Sequence, residues 1–309
     1  MMASLADSSF RQYDVYLKRW FYYCNENGYD LYNASVPQII YFLTKLYEEG
    51  SQYGTLNSCR SALALIISSN LGADDRIRRF FKGIFRLRPP LPKYSVTWDT
   101  SIVINYVSLL YPNESLHLDK ISKKLATLLA LLTAHRVQTF SKINIKNIET
   151  FPSKIIIKIP DFLKTTRIGC MQPILVLPFF EQQPEICPGK ALLAYLEKTR
   201  LLRKDVDSLF ISLKKPYRAV GPQTLSRWIK ETLGDSGIDV TIFTAHSTRH
   251  AATSAAHNLG INLDLIRKTA GWSGSSNTFY QFYNRTISNV NTIEDDSFAR
   301  TIVSRTLNQ

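Results

Sequence analysis

The sequence is poor in cysteine, and the four it has among 309 residues, Cys24, Cys59, Cys170 and Cys187, form no C-x-x-C pair and join no histidine cluster at metal-ligand spacing. This speaks against a structural zinc site or a disulfide framework and predicts reduced thiols in a core. No stretch approaches the roughly 20 consecutive apolar residues of a membrane-spanning helix, and no charged segment followed by an apolar run opens the chain. An intracellular, soluble protein without a membrane partner is expected. Long blocks of Lys and Arg that would spell a localisation signal are missing too, so no such block marks a nuclear address for a eukaryotic host. Internal repeats and low-complexity segments are absent. Acid is scarce relative to base: 25 Asp and Glu against 38 Lys and Arg give a formal charge of +13, which favours a polyanionic partner, nucleic acid first.

What is present suits packed interiors. Apolar residues make up 45% of the chain, with 16 Phe and 16 Tyr, and the length suits two domains with separate cores. From Ser8 to Gly28 the positions Phe10, Tyr13, Leu17, Trp20 and Cys24 recur every three or four residues, the mark of an amphipathic helix that stops at Asn27-Gly28. A second helix is predicted from Ser35, ahead of Pro37, to Gly50, with Ile39, Phe42, Leu43 and Leu46 on one face. A third spans about Thr55 to Asn70 with Leu56, Cys59, Leu63 and Ile67 inward. A fourth opens with Asp74-Asp75 at its positive end and winds Arg76, Arg78, Arg79, Lys82, Arg86 and Arg88 around Ile77, Phe81, Ile84 and Phe85. Those six cations make a candidate phosphate-binding face, weighed against an ordinary solvated one.

Arg88-Pro89-Pro90-Leu91-Pro92 forbids a continuous helix and marks the domain boundary. The expected division is a helical domain over 1–90, a Pro-rich linker over 91–98, a second domain over 99–290 and a C-terminal tail over 291–309. Beyond Trp98-Asp99, helices are predicted near 99–111 and 119–134, strands at 154–159 and 173–178, and further helices from about 188, 222, 248 and 262. The second domain is therefore mainly helical with one small sheet.

The informative stretch is Thr244-Ala245-His246-Ser247-Thr248-Arg249-His250, then Gly271-Trp272, then Thr278-Phe279-Tyr280-Gln281-Phe282-Tyr283. This resembles the C-terminal signature of the tyrosine recombinase, or phage integrase, family: H-x-x-R opening a helix, a His or Trp after a Gly, and a Tyr shortly afterwards. Upstream, Arg136 in Leu132-Thr133-Ala134-His135-Arg136-Val137-Gln138-Thr139 is similar to the family's first arginine, and Lys164, between two predicted strands, to its β-hairpin lysine. The resemblance covers nearly the whole chain, and is strongest to the eukaryotic mobile-element branch, such as DIRS-like and Crypton elements, through His-Ser-Thr-Arg-His-Ala-Ala-Thr-Ser and Phe-Tyr-Asn-Arg. One departure is Thr139, where the family commonly carries an acid.

The resemblance implies a mainly α protein: a four-helix SAM-like core-binding domain joined to a mixed, mostly helical catalytic domain with a small antiparallel sheet. It implies a clamp around double-stranded DNA, assembly as a dimer to tetramer on paired sites, and a tail, with Phe298, Ile302, Val303 and Leu307 at helical spacing, that docks on a neighbour or folds back on its own domain. The implied reaction cuts and rejoins strands through a 3′-phosphotyrosyl link, for integration or excision of a transposable element, with no cofactor and no metal. Arg136 and Arg249 would each present a planar fork of N–H donors to the scissile phosphate, His246 would exchange a proton or hold the phosphate, Lys164 would protonate the departing 5′ oxygen, and Trp272 would buttress. The nucleophile is assigned to Tyr283, with Tyr280 the alternative: they lie eleven and eight residues after Trp272, on either side of the family's usual spacing. His250 is read as structural beside the site, and His117, His135 and His257 as structural or surface. Two rival readings are a type IB topoisomerase-like relaxing enzyme and a catalytically silent DNA-binding protein derived from a mobile element.

Overall fold

Apolar residues three and four apart wind the first part of the chain into helices. The computed structural model describes residues 5–163, 166, 172–272 and 283–287. Helix α1 (Asp7–Asn27) ends where Gly28 adopts φ 67°, a left-handed conformation that costs glycine little, and the Gly28 N–H closes onto the Cys24 carbonyl. Helix α2 (Val36–Glu48) follows Ser35, whose N–H donates to Gln38 Oε1 at 2.8 Å, and it buries Ile39, Phe42, Leu43 and Leu46. Helix α3 (Tyr53–Ala64) stops short of the predicted Asn70. Ile66 and Ile67 N–H both turn back onto the Leu63 carbonyl, and Ser68 Oγ accepts from Asn70 N–H, so local polar bonds replace the helical ladder. Helix α4 (Asp75–Leu87) is capped by the Asp74 carboxylate, which accepts from Arg76 N–H at 2.9 Å.

The chain divides after Pro92 into two compact units. In the first, Trp20, Ile39, Leu43, Leu56, Cys59, Leu63 and Ile77 are fully buried in one core. The six cations of α4 do not share one fate. Arg79, Lys82 and Arg86 are exposed opposite Ile77, Phe81 and Ile84, and make no ion pair among the described residues. Arg76 pairs with Asp74 at 2.8 Å and Arg78 with Asp75 at 3.6 Å. Arg88 departs from the expected phosphate-facing role: its guanidinium donates to the Tyr47 and Ser51 carbonyls and lies 4.2 Å from the Tyr47 ring centroid. It thereby ties the end of α4 to the turn that follows α2.

In the second unit, residues expected to belong to the linker are part of the fold. Tyr94 and Trp98 are buried in its core, flanking strand β1 (Val96–Thr97). Helix α5 (Thr100–Ser108) is capped by Asp99. Helix α6 (Leu118–Thr133) is buried on all sides over most of its length and packs against α8 (Pro188–Thr199) and α9 (Pro222–Asp235). Between α6 and α8 lie the short helix α7 (Val137–Ser141) and an antiparallel sheet ordered β2 (Ile148–Thr150), β3 (Lys154–Lys158), β4 (Ile174–Pro178). Ile155, Ile157, Leu175 and Leu177 alternate inward, as the strand patterns predict. Helices α10 (Ser247–Asn258) and α11 (Leu263–Thr269) follow, and β5 (Thr286–Ile287) pairs in parallel with β1, Val96 opposite Thr286. The protein is mainly α with a small antiparallel sheet. Cys24, Cys59 and Cys187 are free and buried, and burial pushes the Cys59 thiol up to about 12.

Candidate active site

The site begins where α6 ends. Ala134 takes φ 50°, a conformation that strains a residue with a Cβ by on the order of 1 kcal/mol. The turn releases the chain into His135 and Arg136, the residue that precedes α7, and the Ala134 carbonyl accepts from Arg249 Nη1 at 2.7 Å. His246 and Arg249 stand three apart at the start of α10, on one helical face. Trp98 Nε1 donates to Ser247 Oγ at 2.8 Å and Tyr94 Oη bonds Thr244 Oγ1 at 2.8 Å, so the segment around β1 holds the entrance to this helix.

Tyr283 reaches the same place from the other end of the unit. Ser254 Oγ donates to the Tyr283 carbonyl at 2.7 Å and accepts from Arg285 N–H at 3.1 Å, and pairing of β1 with β5 secures the following residues. The Tyr283 hydroxyl lies 3.0 Å from His246 Nε2. Its ring stacks on His250 (centroids 4.2 Å, planes 18° apart), meets Trp272 at 4.8 Å, and has Arg249 Cζ 5.4 Å from its centroid. Arg249 Cζ is also 4.3 Å from the Trp272 centroid, a buried cation–π contact.

The electrostatics are those of a place prepared for an anion. Arg249 is 1% exposed, and burial, then the neighbouring Arg136 charge, lower its pKa to about 9, opposed by the Tyr283 phenol. A guanidinium is still charged there at neutral pH, so the shift measures a cost of holding the cation rather than a deprotonation. Among the described residues neither Arg136 nor Arg249 makes an ion pair, and Arg249 Nε and Nη2 are buried with no hydrogen bond of normal geometry, the Tyr283 hydroxyl lending the cation some support. A buried charge left in this state is unfavourable, and a tetrahedral oxyanion between the two guanidiniums would relieve it.

His135, expected to be structural or surface, is buried, within the electrostatic influence of both arginines. Burial first, then the Arg249 and Arg136 charges, lower its pKa to about 4, so it is neutral at pH 7. Its ring fills the space beside Gly271, where a Cβ would come within 2.9 Å of His135 Cε1 and where φ is 65°. Only glycine meets both conditions, and Trp272 follows it directly. Because the folded pKa lies below the unfolded value near 6.5, only the unfolded state takes up this proton in between. Stability should therefore be complete above pH 6.5 and fall by about 3 kcal/mol as the pH drops through 6.5 to about 4. Chemical denaturation of the wild type and of His135→Phe across this range tests it: the variant should lose this part of the pH dependence.

The structure thus brings together Arg136, His246, Arg249, Trp272 and Tyr283, five residues picked out by the sequence pattern. Lys164, Tyr280 and the tail 291–309 lie outside the described residues. Thr139 is buried behind Arg136 in α7, where the family commonly has an acid. Sequence reasoning missed Tyr94 and the strained Ala134 carbonyl. Only the aromatic character of Tyr94 beside Trp98 could have hinted at the first, and nothing local marks the second.

A helical bundle with a small sheet, and a buried arginine with a second arginine charge near it beside a histidine-bonded tyrosine, define a class, the tyrosine recombinase catalytic fold. Solved structures with this fold include a lambda integrase dimer bound to a COC′ core site (TM-score 0.55, 12% identity, 93% of this chain and 75% of that one). XerH site-specific recombinase bound to difH substrate is similar too (0.52, 14%, 85% and 69%), as is the Tn1549 transposon integrase with circular intermediate DNA (0.52, 14%, 87% and 85%). Residues 105–289 match the phage integrase family, and the chain belongs to that family. No curated protein sequence matches it.

Proposed function

We propose that this chain is a site-specific DNA recombinase that cleaves and rejoins strands through a 3′-phosphotyrosyl intermediate. The observation that carries the reading is the convergence on one spot of a phenol, a histidine and two guanidiniums that have no acidic partner among the described residues. In the proposed step the Tyr283 oxygen attacks the scissile phosphorus while its proton passes to His246 Nε2. The P–O5′ bond breaks, and the 5′ oxygen takes a proton, in the family pattern from Lys164. Charge developing on the non-bridging oxygens is met by Arg136 and Arg249. The phosphodiester bond energy is kept in the phosphotyrosine, so a 5′-hydroxyl of another strand can reverse the step and reseal the backbone.

Double-stranded DNA is the proposed partner, with assembly as a dimer to tetramer on paired sites. The lambda integrase structures include a dimer on a core site and a tetramer on a Holliday junction. The motif context of His246 to Ser254 and of Phe282 to Arg285 supports a mobile element of the DIRS-like or Crypton kind, acting in the nucleus of a eukaryotic host. A nicked suicide substrate, from which the 5′ end diffuses away, tests the reaction: a covalent protein–DNA adduct is expected, and tight binding without one would favour the silent DNA-binding protein. For α4, replacing Arg79, Lys82 and Arg86 together by Ala should flatten the dependence of log K on log salt by about 2 to 3. Arg88→Ala should leave that slope unchanged and lower the melting temperature, since Arg88 is engaged within its unit. Anisotropy titrations over a salt series and thermal melts separate the two.

A further inference from the structure

The chemistry proposed above gives no task to His250, although its ring stacks on that of Tyr283 with the shortest centroid distance of the described rings around it. We infer that His250 is a positioning residue that fixes where the Tyr283 hydroxyl points, an inference that rests on Tyr283 being the nucleophile. Its imidazole lies nearly parallel to the phenol, 4.2 Å between centroids and 18° between planes. It is itself wedged edge-on by Tyr94 (5.1 Å, 83°) and by His246 (5.4 Å, 81°). Tyr94 is no loose wall, because its hydroxyl bonds Thr244 Oγ1 at 2.8 Å and accepts from Thr244 N–H at 3.3 Å, and its ring rests on Phe243.

The geometry matters because of how a tyrosine moves. Rotation about Cβ–Cγ leaves the hydroxyl in place, whereas rotation about Cα–Cβ sweeps it along an arc and carries it away from any in-line approach to phosphorus. The Tyr283 backbone is secured by Ser254, so Cα–Cβ rotation is the freedom that remains. A flat ring against one face of the phenol blocks the arc, and misplacement of a reacting atom by about 1 Å can cost on the order of a hundredfold in rate.

The test separates a flat surface from mere bulk. His250→Phe keeps a planar ring, whereas His250→Leu fills the space without one. Single-turnover adduct formation on the suicide substrate should stay within about threefold of wild type for His250→Phe and fall on the order of tenfold or more for His250→Leu, with DNA affinity and melting temperature alike in both. The pair Tyr94→Phe and Tyr94→Leu should rank the same way if a position 250 variant fails to fold. A second readout needs no cleavage: the ring resonances of Tyr283 should keep their ring-current shift in His250→Phe and lose it in His250→Leu. Equal rates for Phe and Leu, or Phe as slow as Leu, overturn the inference while Tyr283→Phe, run in parallel without adduct, leaves the nucleophile standing. An adduct formed by Tyr283→Phe removes both.

Discussion

Tyr283→Phe is expected to abolish the covalent protein–DNA adduct, a loss on the order of a thousandfold or more, while Tyr280→Phe still forms it. The substitution removes one oxygen, the one that lies 3.0 Å from His246 Nε2. A free phenol has a pKa near ~10, so at neutral pH it needs a base in contact to take its proton as the P–O bond forms. The ring that stacks on His250 and packs on Trp272 is kept by phenylalanine, and the phosphate-binding charges lie on Arg136 and Arg249. Melting temperature and DNA affinity should therefore stay close to wild type, which separates loss of the nucleophile from loss of the fold. Denaturing gels of the trapped suicide substrate give the answer. Adduct in Tyr283→Phe together with none in Tyr280→Phe would move the nucleophile to Tyr280.

Arg249→Met should slow cleavage severely and yet leave the protein as stable or more so. The guanidinium is buried, has no acidic partner among the described residues and sits beside a second positive charge. Replacing such a cation by an apolar side chain of similar length is commonly neutral or stabilising by about 1–4 kcal/mol. Against this stands the Ala134 carbonyl, which loses its donor at a cost of about 1 kcal/mol. Cleavage should drop on the order of a hundredfold to a thousandfold, since a fork of donors to the transition-state oxygens disappears, and Arg249→Lys should not restore it because an ammonium lacks that fork. Sulfate is the companion probe: bound between the guanidiniums it should raise the melting temperature of the wild type and leave that of Arg249→Met unmoved. A Met variant that melts well below wild type would mean the guanidinium serves the fold rather than an anion.

Much of this fold is legible in the sequence, and the exceptions share a cause. Helices α1, α2, α4 and α6 have long, strongly periodic apolar patterns or end signals such as Asn27-Gly28 and Asp74, and they form close to where those patterns place them. What the sequence hides is short or non-local. Helix α7 spans five residues and β2 three, too few for a period to show, and the two-residue ladder of β1 with β5 joins segments from opposite ends of the unit. Arg88 reads as one more cation of a basic run until the carbonyls of Tyr47 and Ser51 come beside it. His135 reads as structural or surface, and only its packing against Gly271 decides between the two.

By itself the chain's order of residues determined the helical class, the excess of positive charge and the kinds of side chain available for chemistry, because periodicity, composition and motif are local properties that need no knowledge of distant neighbours. Tertiary structure alone decided which of those groups meet. The Ala134 carbonyl and Arg249 are 115 residues apart and Tyr94 and Thr244 are 150 apart, yet each pair is within hydrogen-bond distance. Contacts of that kind arise only when α6 and α10 pack and β5 returns to β1, since burying their apolar faces is what draws remote segments together and sets the angles at which His246, Arg249, His250 and Tyr283 face one another.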